Sequence, residues 1–206
     1  MVVGVALNFA SEVAKLAEPP KSPVLYIKPE NTLASHLAPV LHPDGVRAIQ
    51  PGPSLAVVIS RRARRVPRSD AYDFVKGYTL LNDFSLEEKS TFRPPVRTKC
   101  FDSFGPLGPE VLPRDRIDDP HDVVLRCRVN GEIRQEGTTR DLVFRISDLF
   151  ELITSFMTLE EDDVLATGVP PGRVDVVAGD SVTVEIPGLL ELTNLVVSES
   201  EYRRKG

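Results

Sequence analysis

The chain of 206 residues carries 30 acidic and 25 basic residues, a formal net charge of -5, with 41% hydrophobic and 27% charged residues. That length fits one large domain or two small ones with a proper core, and the composition excludes a disordered chain. The acidic balance argues against a dedicated nucleic-acid binder, and no apolar run approaches the about 20 residues that span a bilayer, so neither nucleic acid nor membrane is expected as a partner.

Val2 to Leu7 reads as a first strand; it is apolar but lacks the positive flank of a signal peptide. A short helix is expected from Ala10 to Leu16, stopped by Pro19-Pro20. Val24 to Ile27 is a second strand, and residues 30–47 read as loop with one short strand. Leu55 to Ile59 is the most hydrophobic strand, and Arg61 to Arg65 behind it suit a solvated turn. Ser69 is placed to cap a short helix over 70–75, with Gly77 closing it.

Tyr78 to Leu81 is an unbroken β-prone run that ends in Asn82-Asp83. Asp83 suits two roles: a cap for the turn 84–88, or the carboxylate of a metal or substrate site at the end of a buried strand. Residues 84–120 are rich in proline, glycine and charge and show no clean period. Val123 to Val129 alternates, and Asn130-Gly131 supplies a hairpin turn towards a returning strand, Glu132 to Thr138. A helix opens at Ser147, with Leu149, Ile153 and Phe156 on one stripe widened by Phe150 and Met157. Val164 to Thr167, Ser181 to Ile186 and Leu189 to Val197 complete the strands, and the charged tail 199–206 is expected to fray. The sum is a strand-rich α+β chain, read as a single domain over 1–206.

Signatures of common chemistries are missing: there is no G-x-S-x-G, no phosphate-cradling glycine loop and no H-E-x-x-H. Cys100 and Cys127 have no C-x-x-C spacing, so neither a disulfide framework nor a zinc site is expected, and a reducing cytoplasm is the default compartment. The loop Arg93-Pro94-Pro95-Val96-Arg97-Thr98-Lys99 gathers three cations that could hold a carboxylate-bearing ligand or simply be solvated. Thr167-Gly168 ends a strand with a hydroxyl and an open backbone, which suits either anion capture or a plain turn.

Gly77-Tyr78-Thr79-Leu80-Leu81-Asn82-Asp83, Lys99 with Asp102, Val129-Asn130-Gly131-Glu132 with Gln135 and Gly137-Thr138-Thr139, Phe156-Met157-Thr158-Leu159 and Ala166-Thr167-Gly168-Val169-Pro170 occur in this order. Together they resemble the fumarylacetoacetate hydrolase superfamily over nearly the whole chain. Ala6-Leu7-Asn8, Tyr26-Ile27-Lys28-Pro29 with Asn31-Thr32, Asn82 to Leu86, and Arg93-Pro94 through Lys99-Cys100 look most like the N-terminal half of its decarboxylase/isomerase branch. That branch serves homoprotocatechuate (4-hydroxyphenylacetate) breakdown and in some bacteria consists of two fused, related halves.

The resemblance implies a mixed β-sandwich roll with a few short helices. It also implies a Mg²⁺ or Mn²⁺ ion that chelates the 2-oxo acid or enolate of a small dicarboxylate or tricarboxylate. The metal carboxylates of the family align with Gly52, Ser54 and Asp83, so only Asp83 can serve as a ligand and little metal binding is expected. The family's His-x-x-Glu pair aligns with Glu12 and Lys15. The expected site residues are therefore Lys99 and Glu12 for catalysis, Arg93, Arg97, Thr167 and Gly168 for substrate binding, and Asp83 alone for metal. The expected partner is a homologous subunit that keeps the carboxylates, or a second copy in a homodimer.

Overall fold

A computed structural model describes residues 1–87 and 94–205. The chain opens with β1 (Val2–Ala6), α1 (Ala10–Val13), β2 (Val24–Lys28), β3 (Leu33–Ala34), β4 (Val40–His42), β5 (Pro53–Ile59) and β6 (Val75–Asn82). It continues through α2 (Val96–Lys99), β7 (Gly105–Pro113), β8 (Val124–Val129), β9 (Glu132–Thr138), α3 (Ile146–Phe156), β10 (Val164–Ala166), β11 (Ser181–Ile186), β12 (Leu190–Ser198) and α4 (Glu199–Lys205).

The strands form a seven-stranded sheet in the order β2-β1-β10-β5-β6-β7-β3 and a five-stranded sheet in the order β4-β12-β11-β8-β9. Both are mixed: β1–β10, β3–β7 and β4–β12 run parallel and the other pairs antiparallel. This is the strand-rich α+β architecture expected from the sequence.

Strand β5 sits in the middle of the larger sheet, and all seven of its residues are buried. That burial follows from its unbroken apolar composition, since a central strand covered on both faces needs no polar side. Leu55, Val57 and Ile59 point into a core shared with Leu125 and Cys127 of β8 and Val182 and Val184 of β11. Each such fully buried side chain contributes roughly 1.5–3 kcal/mol. Helix α3 adds Leu149, Phe150 and Ile153 to the same core.

Several local expectations are corrected. The helix over 70–75 is a 3₁₀ segment, Arg68–Phe74, that runs straight into β6. Gly77 lies inside that strand, where a Cβ would stand 2.1 Å from the Leu112 carbonyl oxygen, so its bareness serves strand packing. Helix α1 stops at Val13, beyond which the backbone closes in tighter turns, Lys15 N–H to the Glu12 carbonyl and Leu16 N–H to the Val13 carbonyl, each at 3.1 Å. Phe156, placed on the apolar stripe of α3, is 59% exposed because the helix ends there and turns its last residue away from the core. The stretch 84–120 contains α2 and the nine-residue β7, which pairs with both β6 and β3. The tail is helical as α4, with Glu199 and Glu201 in the first turn, where negative charge suits the helix dipole. The hairpin turn at Asn130-Gly131 is as read: both residues have positive φ, 52° and 87°.

Candidate functional site

The larger sheet ends β6 beside the turn that enters β5. Asp83 donates its amide to the Gly52 carbonyl at 2.8 Å, and the Gly52 amide donates to the Asn82 side chain at 3.0 Å. These bonds fix the Asp83 carboxylate, which is 1% exposed, at the bottom of a cavity of about 380 Å³.

Four side chains converge on that carboxylate. Lys28 lies 3.0 Å from Oδ1. Lys99 donates to Oδ2 at 2.5 Å, Arg173 donates to the same oxygen through Nη2 at 2.9 Å, and the Tyr26 hydroxyl donates to it at 2.9 Å. The role of Asp83 as a cap for the turn 84–88 is thus overturned for the described part of that turn. Its side chain is committed to cations, and Ser85 pairs in extended fashion with Gln50. Residue 88 lies outside the described residues.

Each partner arrives for a local reason. Tyr26 and Lys28 alternate with exposed Ile27 along β2, so both face inward. Tyr26 is registered opposite Gly4, and a Cβ at Gly4 would lie 2.2 Å from the Tyr26 ring, so only glycine lets the phenol cross β1 to reach Asp83. Lys28 is fully buried and also donates to the carbonyls of Phe84 (3.1 Å), Lys99 (2.9 Å) and Phe104 (2.8 Å), a demanding set that only a charged ammonium would satisfy. Helix α2 turns Lys99 inward over the Tyr26 ring, 4.6 Å from its centroid. Arg173 comes from the turn after Pro170-Pro171-Gly172, and its Nη1 donates to the carbonyls of Gln50 (3.1 Å), Pro51 (3.2 Å) and Asp83 (2.7 Å).

The electrostatics follow. Burial alone would raise the Asp83 pKa, but Lys99, Lys28 and Arg173 together hold it well below the carboxylate range. Burial draws Lys99 down to about 8 against the opposing pull of Asp83. Burial likewise lowers Lys28 and, helped by Asp83, raises Tyr26 well above the ordinary phenol value, so Tyr26 remains a donor. Glu12, on α1, lines the same cavity, and burial raises its carboxyl against Arg173, Lys15 and Lys99. Three cations surround the one buried Asp83 carboxylate, and the cavity beside it is lined by Lys99 and Arg173, by the carboxylates of Glu12 and Glu87, and by Val5, Val24, Leu86 and Val169.

The sequence-predicted residues divide accordingly. Asp83, Lys99 and Glu12 come together around the cavity. Arg97 is exposed on α2 and is not among the residues that line it, and Arg93 lies outside the described residues. The Thr167 hydroxyl donates to the Leu55 carbonyl at 3.1 Å and the Gly168 amide to Ser54 Oγ at 3.3 Å, so both groups are engaged within the protein while neighbouring Val169 forms the wall. Buried Asn8 fixes this turn by donating to the Thr167 carbonyl at 2.8 Å. Gln135 holds the far side by donating to the Pro170 carbonyl at 2.6 Å, which joins the two motifs in space.

Tyr26, Lys28 and Arg173 were missed as site residues. Tyr26 and Lys28 stand in a quoted motif, and the apolar-to-cation end of β2 was a usable signal; Arg173 had none beyond its place after the Thr167 turn.

The residues present do not fit a divalent metal. Position 52 offers no side chain, Ser54 is bonded to its own sheet, and both Asp83 oxygens face cations that would repel a further positive ion. Among the described residues no group of three His, Cys, Asp or Glu side chains could hold a metal. No described helix is long and apolar enough to cross a membrane.

Comparison with known proteins gives this site its setting. The 4-hydroxyphenylacetate degradation bifunctional isomerase/decarboxylase of Salmonella dublin is 41% identical over 196 residues, covering 94% of this chain and 46% of that protein. The chain thus spans about half the length of that curated relative. The crystal structure of 5-carboxymethyl-2-hydroxymuconate delta-isomerase from Mycobacterium smegmatis superposes with a TM-score of 0.86 at 34% identity, covering 96% of this chain and 78% of that one. Maleylpyruvate hydrolase from Sphingobium sp. SYK-6, solved with manganese(II) and pyruvate, superposes with a TM-score of 0.82 at 30% identity, covering 96% and 70%. The model of the fumarylacetoacetate (FAA) hydrolase C-terminal family matches residues 1–197, and the chain belongs to that family.

Proposed function

We propose that the chain is a subunit of the 5-oxopent-3-ene-1,2,5-tricarboxylate decarboxylase / 2-hydroxyhepta-2,4-diene-1,7-dioate isomerase of 4-hydroxyphenylacetate degradation. The observation that carries this reading is the cluster of Lys28, Lys99 and Arg173 on buried Asp83 at the wall of the cavity, in a chain about 40% identical to enzymes of that pathway.

Both reactions pass through an enolate. In decarboxylation the bond to the departing carboxylate breaks, its electron pair moves into the conjugated oxo group, carbon dioxide leaves and a proton is returned to carbon. In the isomerisation a proton leaves one carbon and arrives at another across the same conjugated system. Negative charge develops on the oxo oxygen in each case, and a fixed cation in a dry site lowers that barrier. Lys99, like Arg173, can face both the ligand and Asp83. Glu12, with its carboxyl raised by burial, is placed to carry the proton. Val24, Leu86 and Val169 supply an apolar wall for the carbon chain of the ligand.

A homologous partner that keeps the metal carboxylates completes the enzyme in this reading. The test is to measure decarboxylation and ketonisation by the purified chain alone and after mixing with such a partner, each with and without Mg²⁺. Turnover that appears or rises sharply on mixing, and falls with Lys99→Met in this chain, is the expected result. No turnover in any mixture would overturn the assignment.

A further inference from the structure

We propose that the Arg173 guanidinium is the fixed cation of this cavity, standing where the family places a divalent metal, so that the chain binds the 2-oxocarboxylate edge of its ligand without metal. The inference rests on the reading of the cavity as an oxo-acid site.

Position carries the argument. Of the three family ligand positions, Gly52 and Asp83 flank the guanidinium directly. Nη1 would lie 2.7 Å from a Cβ at Gly52, and Nη2 lies 2.9 Å from Asp83 Oδ2. A carboxylate side chain at position 52 would push the Arg173 head out of the place it now occupies. The loss of one ligand and the arrival of a permanent cation are therefore a single exchange: an ion held by carboxylates is replaced by a charge held by backbone.

That charge is fixed without help from any ligand. Three carbonyls, those of Gln50, Pro51 and Asp83, accept from Nη1, and the Asp83 carboxylate accepts from Nη2. The Arg173 side chain is still 21% exposed and the Lys99 side chain 11%, and both line the cavity. Arg173 Nε and the second Nη2 proton make no hydrogen bond among the described residues, and neither do the remaining Lys99 protons. Two cations with donors to spare, anchored on one buried carboxylate, match a planar anion that offers two oxygens on one edge. A guanidinium presents donors in a rigid plane and cannot be removed by a chelator, which sets it apart from a bound ion.

Oxalate, a planar dianion with adjacent oxygens, is the probe. Its affinity for the full chain is measured by titration calorimetry in EDTA and again in excess Mg²⁺. With free oxalate corrected for the part that Mg²⁺ itself chelates, the expected dissociation constants agree within about twofold between the two conditions. Arg173→Leu is expected to weaken binding about 10- to 100-fold, the worth of a charge-assisted bond, with Arg173→Lys between it and the native chain. Thermal unfolding of Arg173→Lys shows that the fold survives. Binding seen only with Mg²⁺, or unaltered in Arg173→Leu, overturns the role of Arg173 while leaving the oxo-acid reading in place. Oxalate binding in neither condition overturns both.

Discussion

Arg173 and Gly52 share one space: a Cβ on Gly52 would lie 2.7 Å from Arg173 Nη1 and 2.8 Å from both methyl carbons of Val169. Gly52→Ala is therefore expected to cost about 1–3 kcal/mol through overpacking. Arg173→Ala opens the same space, so the two changes combined should cost at least about 0.5 kcal/mol less than the sum of their separate effects. Denaturant unfolding of the four proteins in the cycle measures the coupling. Strict additivity would show that the contact is not tight.

Lys28→Met removes an ammonium that joins Asp83 to the carbonyls of Phe84, Lys99 and Phe104. The expected loss is about 3–5 kcal/mol, because the partners of a broken buried ion pair stay buried and unpaired. Chemical denaturation gives the total. Hydrogen exchange should show the protection of residues 95–104 falling first, since two of the three carbonyls lie there. A shift under about 1 kcal/mol would mean that the methionine packs as well as the ion pair did.

Asp83→Asn leaves buried Lys28 and Lys99 and half-buried Arg173 facing a neutral amide, with an expected cost of about 3–5 kcal/mol at pH 7. The folded pKa of Asp83 is depressed, so its contribution is fully present above the unfolded carboxylate value of about 3.9 and is lost as pH falls towards the folded value. The stability gap between the native and Asp83→Asn proteins should hold from pH 7 down to pH 5 and narrow as pH drops below 4. A gap that widens on acidification would contradict the assigned direction.

The two thiols should differ in reactivity. Cys127 is fully buried within β8, and burial pushes its thiol up to about 12, so it stays protonated and inaccessible at pH 8. Cys100 is half-buried at the end of α2, where burial raises its thiol more modestly. Iodoacetamide on the native chain is expected to label Cys100 alone, and both thiols only after unfolding. Mass spectrometry of the digested protein reads the result.

The strands whose periods are clean could be read directly. Strand β5 is uniformly apolar, β8 alternates, and Asn130-Gly131 sets the hairpin to β9. Strand β7 was hidden because Gly105, Pro106, Gly108, Pro109 and Pro113 fall within it, and pairing on both sides supplies what local propensity denies. The site was legible where a residue type marks it: Asp83 at a strand end, Lys99 in a basic loop, Glu12 in place of a family histidine. Lys28 was marked only by the apolar-to-cation end of β2 and by its place in a quoted motif, a signal that does not say whether the ammonium faces solvent or a ring of carbonyls. Arg173 was not, because its partners Gln50, Pro51 and Asp83 lie 90 to 123 positions away. Arg97 and Thr167 show what residue type leaves open: Arg97 is exposed on α2, and the Thr167 hydroxyl donates to the Leu55 carbonyl.

Those long separations make the Asp83 cluster a witness to completed folding. Tyr26 comes to it from 57 residues upstream and Arg173 from 90 residues downstream, so no contiguous fragment shorter than that whole span can assemble it. Lys99, 16 residues on, can meet Asp83 early, but the guanidinium that ties the Asp83 carboxylate to the carbonyls of Gln50, Pro51 and Asp83 arrives only when the turn behind β10 docks. A chain interrupted before Arg173 would leave those three carbonyls without that donor, a built-in penalty against stopping halfway.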